Sequence, residues 1–379
     1  MNKRRLRLLI PAVFLLLLLF FGVRGLIKKD SAQSVPQLEE DSQEQEQKSI
    51  KLTILSELKM TKDLRDSFDD VFTADNLVMY YEKGELKVFN LDNKPLWSRS
   101  FDSNLILGKN VARVLVIEKS RGNVYHFSSD GELLGSALGL GEIEQAQLTQ
   151  DNRTLVFFRD NRNILILDPY LQRAGEITVE SGAIINFAVS TKDELISLLT
   201  LEELEGELLS RLYVYSLEGR LIQTRREEML ALNVFHADRD MLIVYQRGLQ
   251  FFDEYLDKKG EFIPTNKVSF SKKEGSHLYL VTGSANPLQE EGELELLSFS
   301  LSNRTLEFSN KITDNYDNIY SRGGMVLASY KNTLDLYDLT GNLLHREVLS
   351  YPIKKAKLLD EDRLAVFDGS RFTLFKIEF

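Results

Sequence analysis

The sequence predicts an all-β domain carried behind a single N-terminal transmembrane helix. Three observations lead there. The N-terminus holds an uncharged apolar run, no stretch beyond Ile50 sustains a 3.6-residue period, and one strand-turn-strand pattern returns about every 40 residues up to the last residue.

In chain order, residues 1–7 form a basic tip with Lys3, Arg4, Arg5 and Arg7. From Leu8 to Val23 the chain reads LLIPAVFLLLLLFFGV without a charge. The segment 8–27, at about 1.5 Å per residue, is long enough to cross a hydrocarbon layer of roughly 30 Å. Pro11 lies in the first turns, where a missing N–H costs least. A cleaved signal peptide is the competing reading of a basic tip and apolar run. Arg24, Lys28 and Lys29 follow the run directly, and Asp30-Ser31-Ala32 is a poor cleavage site, so the segment reads as a retained signal anchor. The surplus of basic residues before it keeps the N-terminus cytoplasmic and sends the remainder outside. Residues 28–48, rich in Asp, Glu, Gln and Ser, have too few apolar side chains to offset the entropy of ordering and read as an acidic disordered spacer.

The remaining segment, 49–379, carries the repeat. An alternating strand ends in an apolar or aromatic residue, a polar turn follows, and a second apolar run begins. Examples are VFNLDNKPLW at Val88, HFSSDGELLG at His126, YSLEGRLI at Tyr215 and YDLTGNLLH at Tyr337. The residues before the turns are Phe89, Phe127, Leu167, Tyr215, Phe252, Phe299, Tyr337 and Phe375, at intervals of 38, 40, 48, 37, 47, 38 and 38. Four short strands per 40 residues is the spacing of β-propeller blades, each too thin to bury both faces without neighbours. The eighth copy stops at Phe379 after three strands. The unassigned apolar segment 49–55 supplies the missing outer strand, which predicts an eight-bladed propeller with a mixed closing blade, seven blades being the alternative.

The turns Asp338-Leu339-Thr340-Gly341-Asn342-Leu343-Leu344 and Asp130-Gly131-Glu132-Leu133-Leu134, with Trp97 after Asp92, resemble the repeats of quinoprotein-like (PQQ-like) and WD40-like propellers. The layout of basic tip, one helix, acidic spacer and propeller also resembles the membrane-anchored propellers of unknown function in Gram-positive bacteria. The quinone-using enzymes of the former group need a calcium-bound cofactor pocket, a catalytic carboxylate and often a vicinal disulfide. With no cysteine and one tryptophan here, the resemblance implies the fold and not that activity.

Cysteine absence excludes disulfides, zinc-thiolate and iron–sulfur sites and a cysteine nucleophile. The net charge is −10; the first 29 residues hold seven basic side chains and no acid, leaving 40 basic against 57 acidic beyond them. Such a surface repels phosphate backbones, so no nucleic-acid partner is expected. The four histidines, His126, His236, His277 and His345, fall in different repeats without metal-site spacing. No phosphate loop or nucleophile elbow appears. Asn152-Arg153-Thr154 and Asn303-Arg304-Thr305 match a glycosylation acceptor pattern that a bacterial anchor makes irrelevant.

The two long intervals place extra residues between the second and third strands of their blades, at 199–210 and 283–295. Both extensions should rise from one rim, with an ordinary blade between them. They hold the candidate interaction residues Glu202, Glu203, Glu205, Glu207, Asn286, Glu290, Glu291 and Glu293, with Glu295 closing the second run. Neither run has the ligand order of a calcium loop, so a solvated hairpin tip or a basic partner suits them better. The expectation is a membrane-anchored extracytoplasmic scaffold or protein-interaction module at the cell envelope. It uses no catalysis, cofactor or metal, and its partners are the bilayer and an unidentified envelope or membrane protein. A glycan or small-ligand sensor using the axial pocket is one alternative, and a hydrolase or lyase with dispersed residues is another.

Overall fold

The computed structural model describes residues 50–379, except 60–70, 75–76, 83, 93, 103, 160–161, 228, 238–239, 254, 284–293, 314–315 and 317. The expected tip, anchor and spacer lie outside the described residues, and no helix among those described is long and apolar enough to cross a membrane.

The described chain forms eight four-stranded antiparallel sheets. Seven are consecutive: blade 1 at 71–100, blade 2 at 105–137, blade 3 at 143–178, blade 4 at 183–227, blade 5 at 231–262, blade 6 at 268–312 and blade 7 at 318–348. The eighth joins Lys355–Leu358, Arg363–Phe367 and Arg371–Glu378 to Lys51–Lys59 from the N-terminal side, paired antiparallel from Lys51↔Glu378 to Lys59↔Arg371. The seven-blade alternative therefore falls. The closing strand, expected at 49–55, starts at Lys51 and runs on to Lys59. Ile54 pairs with Phe375 and Ser56 with Leu374, which leaves Leu55 as a bulge. The bulge resets the alternation of faces, and that is why the readable pattern stops there.

Every blade is apolar on two sides. In blade 2 the second strand, Val114–Glu118, is buried along its whole length, whereas the fourth strand of blade 1, Pro95–Ser100, is almost wholly exposed. The core accordingly divides into eight clusters, one per seam. Leu86, Val88, Val114 and Phe127 join blades 1 and 2; Val78 and Tyr80 of blade 1 meet Ala365, Phe367 and Leu374 of the closing blade. First strands of neighbouring blades touch one another, so they surround the axis and fourth strands form the rim. Because the strands alternate in direction, blade-to-blade connections and second-to-third hairpins emerge at one end, called here the hairpin end. First-to-second and third-to-fourth turns emerge at the other, the turn end. Lys51, opposite Glu378, lies at the turn end.

The residues that set the sequence period share one structural role. In all eight blades the pairing between third and fourth strands bulges at that residue, from Val88/Phe89 in blade 1 to Phe375 opposite Ile54 in the closing blade. The next residue caps the turn. Asp168 Oδ1 accepts the N–H groups of Tyr170 and Gln172 at 2.8 and 2.9 Å, and Asp338 Oδ1 those of Thr340 and Asn342 at 2.9 and 2.8 Å. Asp253 and Asn90 do the same, because a short side-chain oxygen reaches a backbone two residues on. In blades 2, 3, 4, 5 and 7 the chain turns left-handed three residues after the cap, and in blade 6 one residue later, at Arg304. Blade 2 uses Gly131 there (φ 84°), while blades 3 and 5 use Leu171 and Leu256 (φ 62° and 60°), both buried. The strain of about 1–2 kcal/mol is offset in those blades by burial of the leucine side chain.

Each turn is also the dock for the preceding blade. Trp97 Nε1 of blade 1 donates to the Ser129 carbonyl at 2.9 Å, and Arg99 to that of Gly131 at 2.8 Å. Blade 4 repeats the arrangement on blade 5 through Gln223 to Tyr255 O and Arg225 to Leu256 O, both 3.0 Å. A Cβ on Gly131 would stand 2.6 Å from the Trp97 ring.

Two outcomes follow from this packing. Gly131→Ala should lower stability by about 2–4 kcal/mol in urea unfolding, and by clearly less in a Trp97→Ala background, where backbone strain remains without the clash. A chain beginning at residue 60 should unfold at lower urea, and a peptide covering 50–59 added in trans should restore part of the loss.

Candidate functional site

In blade 4 the extra residues are not a loop. The strands Leu195–Leu204 and Glu207–Ser216 stay paired to their last residues, Leu204↔Glu207, around a two-residue turn of Glu205 and Gly206, both left-handed. In blade 5 the corresponding second strand, Asp240–Tyr245, has six residues against ten. Four more residues of strand add about 13 Å, so the hairpin stands above its neighbour at the hairpin end. Glu203, Glu205 and Glu207 are exposed at its tip. The corresponding residues of blade 6, Asn286, Glu290, Glu291 and Glu293, lie outside the described residues.

Glu202 is withdrawn from this acidic run. Its Oε1 accepts the Ser181 hydroxyl at 2.6 Å and the Tyr213 hydroxyl at 3.2 Å, and lies 2.9 Å from Arg211 Nε. The arginine N–H is poorly aligned, so that contact is ionic rather than a hydrogen bond. Burial pushes the Glu202 carboxyl up, but Ser181, Arg211 and Tyr213 outweigh it and hold the group below the usual carboxylate range. Glu202 thus fastens the hairpin's base to the connection from blade 3.

The same combination recurs at the hairpin end. Tyr125 and Arg121 meet buried Glu118 of blade 2 at 3.0 and 3.9 Å. Tyr245 of blade 5 donates to Glu227 of blade 4 at 2.6 Å, beside Arg225 at 3.1 Å. In blade 7 fully buried Asp335 receives Arg346 through two bonds of 2.7 Å and a short bond from Tyr316, whose hydroxyl also meets that of Tyr337 at 2.6 Å. Burial first, and the adjoining carboxylates second, push Tyr245 and Tyr316 far above the ordinary phenol range, so these hydroxyls stay protonated as donors. Sequence reading missed this set because the tyrosine, carboxylate and arginine come from different strands or blades.

The axial channel carries a different chemistry. The first strands of blades 3, 4 and 5 offer Gln145, Gln147, Asn186 and Asn233, the last two bonded to the next blade at Val234 N (3.1 Å) and Ser271 Oγ (2.6 Å). The first strands of blades 6, 7 and 8, Val268–Glu274, Asn318–Arg322 and Lys355–Leu358, carry Lys272, Lys273, Arg322, Lys355 and Lys357 against Glu274. At the turn end a cavity of about 300 Å³ opens over blades 3 to 5, lined by Gln147, Gln150, Ser190, Thr191, Lys192 and His236 among others.

The histidines are structural. His126 Nε2 meets buried Thr154 Oγ1 of blade 3 at 2.8 Å, with Arg113 at 3.0 Å from Nδ1, and His236 Nε2 meets Ser197 Oγ of blade 4 at 3.0 Å. His277 and His345 pair with Glu307 and Glu347 at 3.2 and 3.1 Å. No three His, Asp or Glu side chains among the described residues gather as a metal site. Burial, helped by Arg113, pushes His126 down to about 4, and burial brings His236 to about 4. The folded chain therefore holds these imidazoles neutral while the unfolded chain protonates them near 6.5. Stability present above pH 6.5 should drain as the pH falls toward 4. Urea unfolding across that window should show the His126→Asn variant losing about one proton, or about 1.4 kcal/mol per pH unit, from the slope.

The fold is met in solved structures of low sequence identity. BamB from Moraxella catarrhalis is 12% identical, with a TM-score of 0.57 over 86% of this chain and 99% of that one. Sqt1 from Saccharomyces cerevisiae is 10% identical, with a TM-score of 0.61 over 86% and 100%. The computationally designed Ika8 protein is 11% identical, with a TM-score of 0.60 over 81% and 95%. Such likeness concerns the propeller alone, and no curated protein matches the chain in sequence. The model of a family of unknown function (DUF5711) matches residues 45–370, nearly the whole propeller including its closing strand, and the chain belongs to that family.

Proposed function

We propose that this protein is a membrane-anchored scaffold, without catalysis, whose propeller presents the blade 4 hairpin to a basic surface of an envelope or membrane protein. The observation that carries the reading is the hairpin itself. Its strands remain paired to the tip, its base is fastened by Glu202, Ser181, Tyr213 and Arg211, and its exposed carboxylates stand clear of the neighbouring blade. A rigid, pre-ordered element loses little conformational entropy on binding.

The closing strand supports the orientation. It begins at Lys51 on the turn end, directly after the acidic spacer 28–48, so the tether joins opposite the hairpin. An attachment on that side leaves the hairpin end free to meet a partner. Lysine- or arginine-rich partners fit the charge; nucleic acid does not.

The test places a photo-cross-linker at Leu204 in intact cells, with the same group at Ser302 of the turn end as control. Expected is one cross-linked protein from Leu204 only, lost on Glu203→Lys, Glu205→Lys and Glu207→Lys together and regained by a compensating acidic change in the partner. Equal capture from both positions, or capture indifferent to the reversal, would sink the reading. Labelling of Ser302→Cys by an impermeant thiol reagent in the same cells checks that the propeller is outside; protection until permeabilisation would overturn the topology.

A further inference from the structure

The axial channel holds a contact that the blade geometry makes unusual. Lys272 lies opposite Tyr279, on the face of blade 6 turned toward blade 7. Tyr320 lies opposite Leu327, on the far face of blade 7, turned toward the closing blade. Yet Lys272 Nζ stands 3.3 Å from the centre of the Tyr320 ring. That approach has to pass the inner edge of Asn318–Arg322, so ring and ammonium meet in the channel. Lys357 lies opposite Ala365, on the closing blade's face toward blade 1, and its Nζ is nevertheless 6.0 Å from the same ring. Two ammonium groups from blades 6 and 8 thus converge on one tyrosine of blade 7, inside the channel. Lys272 is two residues from the end of its strand and Lys357 one, which puts the cluster in the turn-end half.

The first strands of blades 6 to 8 gather cations at the axis, where low-dielectric walls focus their field, while Asp360 and Asp362 of the adjoining closing-blade turn are held by Arg363. Cation–π contact holds the Lys272 tail in place before any ligand arrives. Glu274, 3.1 Å from Lys272, engages part of an ammonium that has three donors. Across the axis, the turn-end cavity over blades 3 to 5 offers neutral groups instead, the amides of Gln147 and Gln150 and the hydroxyls of Ser190 and Thr191. A wholly inorganic anion would use the lysines and leave these groups idle; a neutral sugar would do the reverse.

We propose that the turn-end half of the channel binds an anionic sugar, a carboxylate or phosphate carried on a polyhydroxyl ring. Lys272 and Lys357 take the charge, and Gln147, Gln150, Ser190 and Thr191 of the turn-end cavity take the ring. The site is at the opposite end of the axis from the blade 4 hairpin and does not depend on that surface having a partner.

The experiment titrates the full chain in detergent micelles with glucuronate, glucose 6-phosphate, inorganic phosphate and glucose at constant ionic strength, reading the thermal midpoint and tyrosine fluorescence. Expected is saturable stabilisation by glucuronate or glucose 6-phosphate at about millimolar concentration; which of the two binds tells carboxylate from phosphate. Lys272→Met with Lys357→Met should weaken that binding about tenfold or more while the ligand-free midpoint stays in place, and Lys272→Arg should retain binding. Should the double variant lower the ligand-free midpoint, the single Lys357→Met, measured by fluorescence below the melt, decides instead. The proposal is overturned by no response to either anionic sugar, by an equal response in the lysine variants, or by inorganic phosphate or glucose reproducing the whole effect.

Discussion

Everything in this molecule depends on a sheet of four strands having two apolar faces and no helix to cover either. Each blade can bury both only between two neighbours, so the chain has no stable edge until the ring closes. The eight core clusters, each shared by adjoining blades, are the direct result. Closure falls to Lys51–Lys59, which completes the blade begun more than 300 residues later. Closure therefore pairs the first described strand of the chain with the last.

The polar groups at the seams serve the same constraint. A buried carboxylate is costly unless it is paired and hydrogen-bonded, and Glu118, Glu202, Glu227 and Asp335 are each met by a tyrosine and an arginine. Several of these contacts cross from one blade to the next connection or blade, so they fix the angle between sheets that apolar packing alone would leave loose. Strongly shifted groups often mark catalytic sites. Here Tyr245, Tyr316, His126 and His236 owe their shifts chiefly to burial at seams, which makes them parts of the frame.

The two ends of the axis differ in kind. At the hairpin end, the longer strands of blade 4 form a paired acidic projection, and the carboxylates beneath it are met by tyrosine and arginine. At the turn end, the caps and bulges that repeat in every blade leave little freedom, and variation appears in the first strands, amide-bearing in blades 3 to 5 and cationic in blades 6 to 8.

How much of this was legible follows from distance along the chain. The all-β class, the period, the count of eight and a borrowed closing strand were readable, because Phe89, Phe127, Leu167 and their counterparts occupy one local conformation, a bulge followed by a capped turn, that any blade must form with its own residues. The candidate hairpin was readable as extra length, though not as paired strand. Glu202 looked equal to Glu203, Glu205 and Glu207 until Ser181, Tyr213 and Arg211 closed around it, and Leu256 gave no sign of filling a left-handed position. Lys272, Tyr320 and Lys357, on three blades, share no motif. The sequence alone determined what is local to one blade, since turn chemistry and strand alternation act over a few residues. Tertiary structure decided what meets at the seams and at the axis, because those contacts join side chains of different strands or blades, and only the packed sheets set which of them face each other.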